Sequence, residues 1–400
     1  MNDVNFAPWP DFDEEVIQAV RRVLSSKRVN YWTGDEGRQF ETEFASFVGV
    51  RHAIAVSNGT TALDLALYGL GIGHGDDVIV TSRTFIASVS SIVTAGANPV
   101  FADVDRDSQV ITADTVLPLI TSRTKAIIAV HLAGWPCEMD ELMALAELYG
   151  LVVIEDCAQA HGATYRGRSV GSLGHVAAWS FCQDKIMTTG GEGGMVTTDD
   201  ETLWCRMWAY KDHGKSWDAI YERVHPPGFH WVHESFGTNW RLTEMQSTIG
   251  RVQLGHMAVW TARRRSNLKS LWVAARRCRG LRVPIVPDWV GHAGYKGYVF
   301  VEPEALRAEW SRDRILQEIT RRGVPCFSGS CSEVYLERAF DSTGWRPMQR
   351  LPVARELGET SLMFLVHPTL SEAAIDRMGQ VLQEVMAEAT TLKAPTRVMG

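Results

Sequence analysis

Apolar positions in the first 260 residues of this chain alternate between two patterns. Short, nearly unbroken apolar runs at residues 52–56, 77–81, 99–104, 126–130 and 152–155 have the length and continuity of strands buried on both faces. Between them, apolar residues recur every three or four positions. Val16, Ile17, Val20 and Leu24 mark a helix over residues 13–24. The same spacing predicts helices over 40–47, 62–68, 88–95 and 138–149. Strand and helix in alternation predict an α/β fold, with a mostly parallel central sheet flanked by helices. After residue 260 the texture changes. A basic helical stretch (261–278) leads into a segment containing proline and glycine (283–297), then a strand (298–301) and a helix (312–322). A strand (362–366) and a helix (373–387) close the chain. This predicts a large domain over residues 1–260 and a smaller α+β domain over 261–400.

Composition adds limits. Of 400 residues, 45% are hydrophobic and 22% charged, which suits a water-soluble globular chain. The net charge of −7 argues against nucleic acid as a partner, and the single basic run, Arg263–Arg264–Arg265, reads as a solvated helix face. Seven cysteines without zinc-like spacing predict free thiols and no metal site. Residues 1–10 lack the basic start and apolar core of a signal peptide, and no apolar run is long enough for a membrane span. The expectation is a cytoplasmic protein.

Four short segments carry candidate chemistry. Ser57-Asn58-Gly59-Thr60-Thr61 falls between a predicted strand and a predicted helix, where unpaired N–H groups and the helix dipole favour a phosphate. The same residues suit an ordinary helix cap. Asp156 ends the apolar strand Leu151–Val152–Val153–Ile154–Glu155, at the edge where open α/β sheets bind ligands. Phe85 ends another strand and could stack on a flat ring, or serve as a core aromatic. Lys185 precedes the glycine-rich loop Gly190–Gly191–Glu192–Gly193–Gly194, where backbone can approach a ligand closely. A lysine so placed can hold an aldehyde as a Schiff base, and an acid can hold a protonated ring nitrogen. In this order the segments read as a pyridoxal 5'-phosphate site.

That order also carries a resemblance over nearly the whole chain. Tyr31–Trp32–Thr33–Gly34, Ser57–Asn58–Gly59–Thr60–Thr61–Ala62–Leu63, Glu155–Asp156–Cys157–Ala158–Gln159–Ala160–His161–Gly162, Gly237–Thr238–Asn239–Trp240–Arg241 and His367–Pro368–Thr369 together resemble the DegT/DnrJ/EryC1/StrS family of sugar aminotransferases, of fold type I. The resemblance implies that Lys185 carries the cofactor and shuttles a proton, that Asp156 binds the ring nitrogen, and that Gln159 binds the ring oxygen. It implies that Phe85 stacks on the ring and that Gly59, Thr60 and Ser180 hold the phosphate. It implies that Asn239 reaches the phosphate of a neighbouring subunit, making a homodimer with composite sites. The implied reaction moves an amino group from L-glutamate to a nucleotide-linked 4-keto-6-deoxy sugar, in amino-sugar synthesis for a surface polysaccharide such as lipopolysaccharide, or for a secondary metabolite. Two rivals stand beside it: an aminotransferase for a cyclitol or other non-nucleotide ketone, and a non-catalytic regulator on the same scaffold. Trp32, His213 and the aromatic stretch 215–234 are candidate acceptor contacts, and Arg241 is a candidate for the donor carboxylate or a structural ion pair. Cys182 reads as a small buried filler.

Overall fold

The computed structural model describes residues 4–390. A seven-stranded sheet forms its centre: β1 (His52–Val56), β2 (Asp77–Thr81), β3 (Asn98–Ala102), β4 (Thr124–Val130), β5 (Val152–Asp156), β6 (Val176–Ser180) and β7 (Gly194–Thr198). In space the order is β1-β7-β6-β5-β4-β2-β3, parallel throughout except for β7, which runs against both neighbours. The expected α/β class and mostly parallel sheet are therefore present.

Both faces of this sheet are covered. Alternate residues divide between two cores: Ala53, Ala55, Ile79, Ile127, Val153 and Trp179 face one, while Ile54, Val56, Val80, Ile128, Ile154 and Val196 face the other. That two-sided burial accounts for the unbroken apolar runs in sequence. The helices Gly59–Gly69 and Ala87–Thr94 cover one face, and Glu36–Val48 and Met139–Tyr149 cover the other.

Helix ends follow local chemistry. Asp13 accepts a hydrogen bond from the Val16 N–H and opens the helix Glu14–Ser26. Thr243 and Gln246 form a reciprocal capping box that starts the helix Glu244–Ala275, 32 residues long. Its first half packs on Glu14–Ser26 and Glu36–Val48, and its second half on Glu372–Ala389. Residues 260 and 261, the expected domain boundary, lie inside this one helix, which both halves of the molecule share. Arg264 in the same helix is fully buried, so the run 263–265 is not the solvated face expected of it. Helical twist turns neighbouring residues to different sides.

A second, antiparallel sheet of β8 (Leu281–Arg282), β9 (Lys296–Val301), β10 (Cys326–Phe327) and β11 (Ser361–Leu365) runs in the order β8-β9-β11-β10, backed by a separate apolar core. Arg83 ties the two parts together. It is fully buried, donates to Gln109 and Ser361, and lies over the Tyr298 ring.

Candidate active site

Strand register assembles the site. Val56 of β1, Gly194 of β7 and Ser180 of β6 lie in one row. Asp156 at the end of β5 pairs with Ala178 of β6 and Val130 of β4. The carboxyl ends of four strands thus meet on one side of the sheet. Asp156, Ala178 and Ser180 from these ends border a cavity of about 900 Å³, closed by Tyr295 and by Lys296 and Tyr298 of the second sheet.

At one end of the cavity the helix Gly59–Gly69 begins. Asn58 caps it, accepting from the Thr61 N–H at 2.9 Å, while the Thr61 hydroxyl turns back to the Asn58 N–H. The cap reading of this segment is therefore present. Asn58 and Thr61 are used by the cap, and the first turn of the helix is left with N–H groups that have no intrahelical partner. Gly59 packs against β6, where a Cβ at this position would stand 2.6 Å from the Ser180 Cβ. Thr60 and Ser180 border the cavity beside it.

The Asp156 carboxylate is buried and anchored. Ser88 donates to one oxygen at 2.7 Å and the Ala158 N–H to the other at 3.1 Å. Thr84 pairs with the Ser88 hydroxyl at 2.8 Å. The preceding residue, Glu155, points the other way. It is fully buried and accepts from His131 and from the N–H groups of Gly171, Leu173 and Gly174. Burial alone would raise its pKa, but these donors outweigh it and hold the carboxyl below its ordinary value. Gln159 accepts from the Ala133 N–H at 2.9 Å, so its amide oxygen is occupied and its NH₂ remains to donate. The same short turn reaches the second sheet, because Tyr295 donates its N–H to the Ala133 carbonyl.

Lys185 stands in the loop between β6 and β7, its side chain 16% exposed. Gly190 and Gly191 hold the loop with φ of 89° and 125°, a region closed to most side chains. Thr188 fastens it, donating to the Phe181 carbonyl and accepting from the Gly191 N–H. The Trp9 indole donates to the Lys185 carbonyl at 2.7 Å from outside. Asp184 accepts from the Tyr295 hydroxyl and lies 3.8 Å from the Lys185 ammonium. Burial would raise the Asp184 pKa, but Lys185 and Tyr295 bring it below the ordinary value.

Gly59, Thr60, Phe85, Asp156, Gln159, Ser180 and Lys185 therefore border one cavity. Phe85 is not at a strand end. It lies in the loop beyond β2 and is 66% exposed. Asn239 is exposed and does not border this cavity; its segment runs beside the Ser57–Thr61 segment, where the Trp240 carbonyl accepts from the Ser57 N–H. Trp32, His213 and the stretch 215–234 also lie outside it. Arg241 donates to the buried Asp212 at 2.7 Å, which is the structural ion pair and not a free carboxylate binder. Cys182 is partly exposed and borders the cavity, so it is not a buried filler. Sequence reading missed Ser88, Tyr295 and Lys296. For Lys296 the available signal was a single charge at the start of an apolar strand.

The residues present fit pyridoxal phosphate. A helix start with free N–H groups suits its phosphate, an anchored acid suits its ring nitrogen, a free amide NH₂ suits its ring oxygen, and a lysine suits its aldehyde. Residues 10–383 match the model of the DegT/DnrJ/EryC1/StrS aminotransferase family. The chain is 38% identical over 365 residues to GDP-perosamine synthase of Caulobacter vibrioides, covering 89% of this chain and 92% of that one. It is 34% identical over 383 residues to a dTDP-3-amino-3,4,6-trideoxy-alpha-D-glucose transaminase of Streptomyces venezuelae, covering 94% of each. The solved aminotransferase from Psychrobacter cryohalolentis superposes with a TM-score of 0.95 at 60% identity, covering 96% of this chain and 99% of that one. The chain belongs to the DegT/DnrJ/EryC1/StrS aminotransferase family and is a pyridoxal-phosphate-dependent sugar aminotransferase of fold type I.

Proposed function

We propose that the enzyme moves the amino group of L-glutamate to a nucleotide-linked 4-keto-6-deoxy sugar, in cytoplasmic synthesis of an amino sugar for a surface polysaccharide or secondary metabolite. The observation that carries the reading is the placing of Lys185 and Asp156 in one cavity whose end is a helix start. The two relatives bear the names of enzymes of GDP- and dTDP-linked amino sugars, which supports a nucleotide-linked acceptor over a free cyclitol.

When bound, pyridoxal phosphate supplies an aldehyde that accepts the amine and a ring that withdraws electrons. The chain's own residues do the rest. Lys185 takes the proton from the donor's α-carbon and returns one to the carbon that receives nitrogen in the second half-reaction. Asp156, fixed by Ser88 and the Ala158 N–H, keeps a proton on the ring nitrogen. The Gln159 NH₂ donates to the ring oxygen, Phe85 covers the ring face, and Gly59, Thr60 and Ser180 hold the phosphate. A second copy of the chain contributes Asn239 to that phosphate. Val224, Phe229, Trp231 and Phe236, just before Asn239, are exposed in the single chain, which supports a homodimer with composite sites.

Two experiments test this. The first compares amination of a nucleotide-linked 4-keto-6-deoxy sugar with that of a free keto sugar or cyclitol ketone, with L-glutamate as donor. Amination of only the free ketone would exclude the acceptor proposed. The second mixes Lys185→Ala and Asn239→Ala protomers. Composite sites predict recovered activity in the hybrid, because one of its two sites carries neither substitution; no recovery would put both residues in the same subunit's site.

A further inference from the structure

One ammonium in the cavity has no hydrogen-bond or ion-pair partner among the described residues. Lys296 opens β9 and borders the cavity beside Lys185. Its Nζ lies 4.7 Å from the centroid of the Tyr295 ring, and the Lys185 Nζ lies 5.5 Å from the same centroid. The two nitrogens are therefore separated by no more than the sum of those distances, about 10 Å. Among the described residues no hydrogen bond or ion pair reaches the Lys296 ammonium. Asp184 is already engaged, with Tyr295 on one oxygen and Lys185 near the other. Asp156, Glu192 and Glu337 also border the cavity, but none is within ion-pairing distance of Lys296.

The surroundings deepen the excess of positive charge. Arg264 is fully buried nearby, packed over Trp9, with its Nε and one Nη unbonded and no carboxylate against it. His161 and His367 stay neutral, their pKa values pushed down to about 3, chiefly by burial. A cation left unpaired and partly desolvated attracts an anion strongly.

We propose that Lys296 binds the α-carboxylate of the amino donor, which makes the donor an α-amino acid and not a simple amine. The proposal rests on the transaminase reading above. A donor carboxylate is one bond from the carbon whose proton Lys185 must take, and Lys296 is the unpaired cation beside Lys185. The diphosphate of a nucleotide sugar is separated from the ring ketone by the sugar itself. It also carries more charge than one ammonium balances.

The test uses holoenzyme of the wild type, Lys296→Met, Lys296→Gln and Lys296→Arg. Loss of the visible absorbance of the lysine-bound cofactor is followed against L-glutamate concentration without acceptor. Calorimetry measures binding of glutarate, an inert dicarboxylate, and of UDP, GDP and dTDP. Lys296→Met, or Lys296→Gln should the first not fold, is expected to raise the half-saturating glutamate concentration and weaken glutarate roughly 10- to 100-fold, as for loss of one charged hydrogen bond. The limiting rate falls far less, and Lys296→Arg recovers most of the affinity. Glutarate binding and glutamate dependence unchanged in a folded variant would overturn the proposal, as would a weakening confined to the nucleoside diphosphates. Failure of the wild type itself to respond to glutamate would instead overturn the donor reading, and glutarate binding would still decide the role of Lys296.

Discussion

The chemistry proposed for Lys185 depends on one amine. Replacing it by alanine should lower transamination at least about 10³-fold, the order expected on losing a nucleophile and its proton transfer together. The circular dichroism spectrum should stay that of the wild type, since the Lys185 side chain packs in the cavity and not in a core. A steady-state assay with L-glutamate and a nucleotide-linked keto sugar reads this directly, and residual activity within tenfold of the wild type would remove Lys185 from the mechanism. At this scale much of the site was legible. Gly59, Thr60, Phe85, Asp156, Gln159, Ser180 and Lys185 sit in recognisable segments, and they line one cavity. Lys296 was not legible, because a single lysine before an apolar strand gains meaning only when the turn at Ala133 brings Tyr295 to the carboxyl edge of a distant sheet. Arg264 was misread because helical phase, and not the charge of the run, decides which arginine is buried.

Among the elements, the helix Gly59–Gly69 does two things with one terminus. Its capping box fixes the first turn, and that turn borders the cavity. Asn58→Ala removes the cap and should cost about 1 kcal/mol of stability. It should also weaken cofactor affinity, because the first turn, proposed to hold the phosphate, frays. Urea midpoints with and without pyridoxal phosphate separate the two effects, and a variant with both midpoints unchanged would show that the cap is idle. Predicted strands β1 to β5 are present because their apolar runs are long and bounded by turns. β6 and β7 escaped prediction. Val176–Ser180 contains two alanines, and Gly194–Thr198 opens on glycine, so neither has the branched apolar character of a strand. Both are strands because the sheet buries them on each face, which is a tertiary effect. The long helix Glu244–Ala275 is legible only in its second half, since the buried positions of its first half include Glu244, Ser247, Thr248, Gly250 and Gln253, which give no apolar signal.

At the scale of the whole molecule, no described helix is long and apolar enough to cross a membrane, and both halves depend on buried groups whose charge is fixed by the fold. His161 and His292 are buried, and burial, with nearby cations, pushes their pKa values down to about 3 from an ordinary 6.5. The folded chain therefore refuses protons that the unfolded chain takes up near pH 6.5, so stability falls as pH drops below that value. At pH 5.5 each imidazole costs about 1.4 kcal/mol, about 3 kcal/mol for the pair. Asp64, whose carboxyl burial raises to about 6, offsets part of this. Urea unfolding at pH 7.5 and 5.5 should show the lower midpoint at pH 5.5, and His161→Phe should reduce the difference. An equal or higher midpoint in acid would mean that these imidazoles are reached by solvent. Lys185 is proposed to hold pyridoxal phosphate in this cavity, with L-glutamate delivering its amine there. The most direct measurement is the absorbance spectrum of the purified protein with pyridoxal phosphate, before and after adding L-glutamate without acceptor. The expected result is a visible band that the Lys185→Ala variant lacks and that glutamate converts to absorbance at shorter wavelength. A wild-type spectrum indistinguishable from free pyridoxal phosphate would contradict it.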